Sequence, residues 1–131
     1  MDEQGATADR RTPPDGRLLC IGDVHGCAAE LETLLGAVDP SAEDRLVLLG
    51  DYVDRGPDSR ACVELLLDLR TRIPHLVLLR GNHEETFVDY LAGRDERAHG
   101  LVGMGGGPTL QSYGIPCDAR GAPPAVDRPG S

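Results

Sequence analysis

Arg45-Leu46-Val47-Leu48-Leu49 runs without interruption into Gly50-Asp51-Tyr52-Val53-Asp54-Arg55-Gly56, and this join decides how the chain is read. A short continuous apolar run that stops at a glycine is the pattern of a buried strand. Two carboxylates and a guanidinium leave that strand together. Asp51 and Asp54 stand three residues apart across a turn, so both can face one pocket with Arg55 beside them. Taken alone, the stretch also reads as a polar loop that caps a strand, with Arg55 simply paired to Asp54.

The same design recurs on either side. Upstream, the apolar run Arg17 to Ile21 ends in Gly22-Asp23-Val24-His25-Gly26; downstream, His75 to Leu79 leads to Gly81-Asn82-His83-Glu84. Between the first two runs, Leu31, Leu34, Leu35 and Val38 follow helical spacing, and Asp39-Pro40 ends that helix because proline disfavours helical geometry in the residue before it. A second helix starts at Pro57-Asp58-Ser59, carries a wide stripe from Cys62 to Leu69 and closes by Pro74. A third covers Glu84 to Leu91. The order β-α-β-α-β-α predicts a layered α/β core on a mainly parallel sheet with right-handed crossovers. Residues 1–16, polar and broken by Pro13-Pro14-Asp15-Gly16, read as a flexible lead-in to a domain at 17–115. Glycine-rich 93–115 is expected to be irregular, and 116–131 a disordered tail.

Composition narrows the function classes. The chain's 131 residues fit one domain, and a formal charge of -9 argues against a general nucleic-acid binder, which would normally show a basic face. The same acidity suits a site that collects carboxylates around cations. All 13 basic residues are arginine, which fits a G/C-rich coding bias better than a functional signal. Cys20, Cys27, Cys62 and Cys117 form no CxxC pair, so reduced thiols are expected, with Cys20 and Cys62 as small core residues. Neither a secretory h-region nor an apolar run of the roughly 20 residues that cross a membrane is visible. A soluble, cytoplasmic protein is the expectation.

In an open parallel sheet the carboxyl ends of the strands share one edge, where ligands bind. Asp23, His25, Asp51, Asp54, Asn82 and His83 would therefore converge. Their carboxylate, imidazole and amide donors suit Mn²⁺, Fe or Zn²⁺ better than a thiolate-loving ion. Singly, His25 reads as a surface residue at a helix entry and His83 as a capping histidine. Three glycine-flanked clusters at three successive strand ends favour a shared site, and crowding these groups with no cation would be costly.

These blocks, GDVHG, GDYVDRG and GNHE, resemble in order the three signature blocks of the phosphoprotein phosphatases within the calcineurin-like metallophosphoesterases. The likeness is close over residues 17–92. It continues more loosely through Gly105-Gly106 and Thr109-Leu110-Gln111-Ser112-Tyr113-Gly114, which looks like the bacterial serine/threonine phosphatase branch. The resemblance implies two divalent metal ions, Mn²⁺ first among the candidates. Asp23 and His25 would bind the first, Asp51 would bridge both, and Asn82 would bind the second. Arg55 would hold the phosphate together with Asn82, and His83, its ring fixed by Asp54, would protonate the leaving alkoxide. Hydrolysis of phosphate monoesters, chiefly phosphoserine and phosphothreonine in proteins, would proceed by a metal-bridging hydroxide.

The family also places two further histidines on the second ion, well downstream of GNHE, whereas the last histidine here is His99. The expectation is the N-terminal half of a metallophosphoesterase fold, with an incomplete second metal site, exposed apolar sheet surface and a tendency to self-associate. Two alternatives stand beside it. One is a symmetrical dinucleoside tetraphosphate hydrolase; that branch often has Ala at the position of Asp54 and Asp at that of Glu84. The other is a truncated, non-catalytic metal-binding or interaction module. Partners are thus phosphorylated proteins or small phosphoesters, with neither nucleic acid nor membrane expected.

Overall fold

The computed structural model describes residues 16–94 and 99–123. Strands β1 (Leu18–Ile21), β2 (Arg45–Leu48) and β3 (Leu76–Leu78) form one parallel sheet in the order β1-β2-β3. In register, Leu19 meets Leu46, which meets Leu76, and Ile21 meets Leu48, which meets Leu78. Helices α1 (Ala28–Val38) and α2 (Ser59–Arg72) make the two crossovers. Successive right-handed crossovers that advance in one direction put both helices on the same face. Leu31 and Leu35 of α1 and Cys62, Leu66 and Leu69 of α2 are accordingly buried against Leu46, Leu48 and Leu76 in one core. Leu46 and Leu48 are wholly buried, so truncating either to alanine would cost about 2–5 kcal/mol.

The helix limits follow the sequence. Asp58 caps α2, its carboxylate accepting the Ala61 N–H at 3.0 Å, and Arg70 and Arg72 lie in the last turn, where the helix dipole favours cations. At the end of α1, Asp39 turns left-handed at φ 47° and Pro40 follows. Helix α3 (Asn82–Leu91) starts two residues earlier than its apolar spacing predicts, so Asn82 and His83 belong to its first turn.

Alternation along the strands leaves the second face of the sheet open. Leu18, Leu49 and Leu79 are 68%, 50% and 45% exposed. Cys20 is exposed as well, which corrects its expected place in the core: it is one residue out of phase with Leu19 and Ile21, and the pleat turns it away from the helices. Cys62 is buried as expected, and burial pushes its thiol up to about 11.

Residues 99–115 are more regular than their glycines suggest. Two short helices form, α4 (His99–Gly103) and α5 (Gly107–Ser112), with Pro108 at the start of α5, where its missing N–H costs nothing. Leu101 and Leu110 are fully buried and join Tyr90 of α3 in a second apolar cluster. Glycine serves close packing there, since the Gly106 N–H reaches the Leu101 carbonyl at 2.8 Å. Residues 118–122 close a turn in which the Asp118 carboxylate accepts the N–H groups of Arg120 and Ala122 at 2.8 and 2.9 Å. The lead-in at 1–15 and the end of the tail at 124–131 lie outside the described residues.

Candidate functional site

The three strand-end loops are joined through their backbones. Val24 and His25 donate their N–H groups to the Asp51 carbonyl at 3.0 and 2.9 Å, and Gly26 donates to the Tyr52 carbonyl at 2.8 Å. Gly50, at φ 105°, lies so near the third loop that a Cβ there would stand 2.6 Å from the Gly81 nitrogen. Glu84 completes the junction. From the first turn of α3 its carboxylate accepts the N–H groups of Asp51 (2.6 Å), Tyr52 (2.7 Å), Val53 (3.3 Å) and Gly81 (2.9 Å). Tyr52 lies beneath this junction and donates its hydroxyl to the Leu79 carbonyl at 2.6 Å; burial, then the nearby Glu84 carboxylate, pushes that phenol up to about 12.

Left-handed backbone concentrates at the same place. His25, Asp51, Asp54 and Arg55 have φ of 46°, 58°, 76° and 72°. Such conformations persist in non-glycine residues only where their surroundings over-determine them. The loop-to-loop hydrogen bonds supply that constraint, and each strained residue gains an orientation that an extended loop would not give.

The side chains then converge. His25 Nδ1 lies 2.9 Å from the Val53 carbonyl, an acceptor only, so Nδ1 carries the proton. His25 Nε2 is left facing the Asp23 carboxylate at 3.5 Å. His83 is oriented in the same manner, with Nδ1 2.7 Å from Asp54 Oδ2 and the Asp54 carboxylate wholly buried. The two rings meet edge to face, with centroids 4.6 Å apart and planes at 74°. One donor atom each from His25, Asp51 and His83 lie within 4.8 Å of one another. Asp51 Oδ1 is in turn fixed by the His83 backbone N–H at 3.1 Å.

This donor set fits a divalent ion. A metal-ligating histidine usually donates its second ring nitrogen to a carbonyl or carboxylate, and His25 is held that way; the same arrangement at His83 equally fixes the ring of a proton donor. Imidazole and carboxylate together suit Mn²⁺, Fe and Zn²⁺. The simpler reading of the second loop fails: the Asp54 carboxylate is directed to His83 and Thr109, while Arg55 is exposed and tied through its N–H to the Gly105 carbonyl at 2.9 Å.

Of the residues picked from the sequence, His25, Asp51, Asp54 and His83 form one contiguous group, and Asp23, with its side chain 60% exposed, borders it through His25. Arg55 and Asn82 sit on the exposed margin, Asn82 as the first residue of α3. Two residues lie within the quoted motifs but were given no role in the site. Glu84 follows Gly81 by three positions, the spacing of a side chain that turns back on a helix start, and that signal could have found it. Thr109, whose hydroxyl donates to Asp54 Oδ1 at 2.8 Å, carries no comparable local signal.

A parallel α/β sheet thus gathers imidazoles and carboxylates at its strand ends, a donor set that fits a divalent ion. The sequence profile of the calcineurin-like phosphoesterase family matches residues 16–121, and the chain belongs to that family. Serine/threonine-protein phosphatase 1 of Salmonella typhimurium is 42% identical over 71 residues, covering 53% of this chain and 30% of the relative. The symmetrical bis(5'-nucleosyl)-tetraphosphatase of Methylococcus capsulatus is 38% identical over 124 residues, covering 76% of this chain and 43% of the relative. A solved chain provisionally described as a diadenosine tetraphosphatase is 32% identical with a TM-score of 0.47, covering 79% of this chain and 44% of that one. The chain therefore spans less than half the length of each.

Proposed function

We propose that this chain carries the first part of a metal-dependent phosphoesterase site that hydrolyses phosphate monoesters, with phosphoserine and phosphothreonine in proteins as substrates. The observation that carries the reading is the buried Asp54–His83 pair. An ionised carboxylate 2.7 Å from Nδ1 keeps the proton on that nitrogen and turns Nε2 outward, beside His25 and Asp51. When protonated, Nε2 is placed to give its proton to a departing alkoxide, a role that demands a fixed ring.

Asp23, His25, Asp51 and Asn82 would hold two divalent ions, Mn²⁺ by preference. Bound there, such ions supply Lewis acidity toward the phosphoryl oxygens and activate the attacking water. The planar fork of Arg55 would hold the phosphate, with Asn82 beside it. Asp51 and Asn82 are the donors identified for the second ion, fewer than the three or four of a tight site.

Asp54 and Glu84 support monoesters over dinucleoside polyphosphates, since the tetraphosphatase branch often has Ala and Asp at these positions. The tetraphosphatase reading is kept because the Methylococcus relative aligns over 76% of the chain. Phosphate release from a phosphopeptide and from a dinucleoside tetraphosphate, measured with Mn²⁺, separates the two. His83→Ala is expected to lower monoester turnover about 10²-fold or more. Unchanged turnover in that variant would remove His83 from the mechanism.

We further infer a cytoplasmic protein that self-associates through the open face of the sheet, where Leu18, Leu49 and Leu79 are exposed. Among the described residues, no helix is long and apolar enough to cross a membrane. Sedimentation velocity checks the association: Leu49→Asp is expected to shift an oligomer toward monomer, and a wild-type chain that is monomeric at every concentration would contradict it.

A further inference from the structure

The Asp54–His83 pair is not self-contained. Thr109, on α5 and 55 positions along the chain from Asp54, donates its hydroxyl to Asp54 Oδ1 at 2.8 Å and accepts the Asp54 N–H at 2.7 Å. Ser59 Oγ lies 3.0 Å from Thr109 Oγ1 and 3.1 Å from the Asp54 nitrogen. All three residues are wholly buried. The proton positions can be worked out. A carboxylate only accepts, so the single Thr109 proton goes to Asp54 Oδ1, and Ser59 must then be the donor to Thr109 Oγ1. The result is one directed chain: Ser59 to Thr109, Thr109 to Asp54 Oδ1, and His83 Nδ1 to Asp54 Oδ2.

We propose that Thr109 is a positioning residue for His83, acting through Asp54 by fixing the rotation of that carboxylate. Asp54 sits at φ 76°, a strained backbone conformation that persists only where its surroundings hold it. Thr109 grips it at two points, the backbone N–H and Oδ1, so only Oδ2 remains to meet His83. Because the Thr109 hydroxyl donates its hydrogen bond to Oδ1, Oδ2 is left to accept the Nδ1–H of His83, and Nε2 stays the outward atom. The same segment holds Arg55 through the Gly105 carbonyl. The glycine-rich stretch after the three motifs is thereby part of the site and not a tail to it.

The functional consequence rests on the phosphoesterase reading, and the test keeps the two apart. In the metal-free 131-residue chain, long-range ¹H–¹⁵N spectra at a pH where the ring is neutral report which nitrogen of His83 is protonated. Wild type and Thr109→Ser are expected to show the Nδ1–H form alone, and Thr109→Val, of nearly equal volume, a mixture with the Nε2–H form. With Mn²⁺ and a monoester substrate, Thr109→Val is expected to lose about 10- to 100-fold in kcat with KM within about twofold, and Thr109→Ser to regain most of it. A valine variant that keeps His83 wholly in the Nδ1–H form overturns the proposal. If that variant fails to fold, the wild-type chain still decides. A slowly exchanging Thr109 hydroxyl proton with a nuclear Overhauser contact to the Asp54 amide supports the grip; a freely exchanging one refutes it. Absence of phosphate release by wild type even at saturating Mn²⁺ would defeat the phosphoesterase reading and leave the tautomer result to judge Thr109.

Discussion

The two rims of the sheet are fastened by the same device put to different ends. At the carboxyl rim, Glu84 gathers four backbone N–H groups from two loops. At the amino rim, Asp44, just ahead of β2, gathers the N–H groups of Arg17 and Ser41 at 2.8 and 2.9 Å and also the Arg17 guanidinium at 2.9 Å. The amino-rim carboxylate is neutralised by a neighbouring cation and offers nothing further to a ligand. At the carboxyl rim, backbone dipoles hold the anchoring carboxylate, and the side chains around it stay available. Strain divides in the same way. Among the described residues, four of the five non-glycine positions at positive φ lie in the strand-end loops, and the fifth, Asp39, ends α1. A rim that only joins strands can relax; one that aims side chains stores strain and needs a stronger clasp.

Removing that clasp should therefore produce the largest effect. Glu84→Ala leaves four N–H groups to find water in a half-buried junction, and charge-assisted hydrogen bonds of this kind are worth about 1.5–3 kcal/mol each before compensation. A loss of about 3–5 kcal/mol in unfolding free energy is expected from denaturant titration, enough to unfold a marginal domain. A loss below about 1 kcal/mol would mean that the loops do not depend on Glu84. Next in size is Gly50→Ala. It sets a Cβ at φ 105°, 2.6 Å from the Gly81 nitrogen, and should cost about 2–3 kcal/mol. The same substitution at Gly36, where a Cβ would meet nothing, should be neutral or slightly stabilising, and equal effects at the two sites would erase the contrast.

The sequence carried the scaffold because strand and helix announce themselves locally. Leu46 and Leu48 sit in a continuous apolar run, Leu31 and Leu35 at helical spacing, and Asp58 at a capping position. The site was legible to the extent that glycine-flanked motifs sit at strand ends: His25, Asp51, Asp54 and His83 meet because a parallel sheet puts those ends together. Thr109 was hidden because its partner lies 55 positions away, and hydroxyls in helices are ordinary. Residues 99–115 read as irregular because six glycines outweigh Leu101 and Leu110 in any local average. Their burial against Tyr90 is a tertiary gain that no short window contains. Cys20 was misread for a related reason: in a short apolar strand, periodicity does not say which face the helices will cover.

The smallest of the three stability effects belongs to the amino rim, and its pH dependence separates it from the others. The Arg17 guanidinium, then the N–H groups of Ser41 and Arg17, hold the Asp44 carboxyl well below the usual carboxylate range. A folded-state value below the unfolded one means that the ionised form contributes stability above the unfolded value, about 3.9, and that the contribution is lost as pH falls toward the folded value. Asp44→Asn, which keeps one acceptor oxygen but no charge, should melt below wild type at pH 7. The gap should narrow as pH drops below about 4, where the unfolded chain takes up a proton that the folded carboxyl still resists. Arg17 is half exposed, so water and salt weaken its share, and the loss should remain smaller than that of Glu84→Ala. Melting curves of both variants from pH 7 to 3 decide the matter. A gap for Asp44→Asn that stays constant over the whole range would show that its backbone hydrogen bonds, and not its charge, fasten this rim, and the two carboxylates would then work alike.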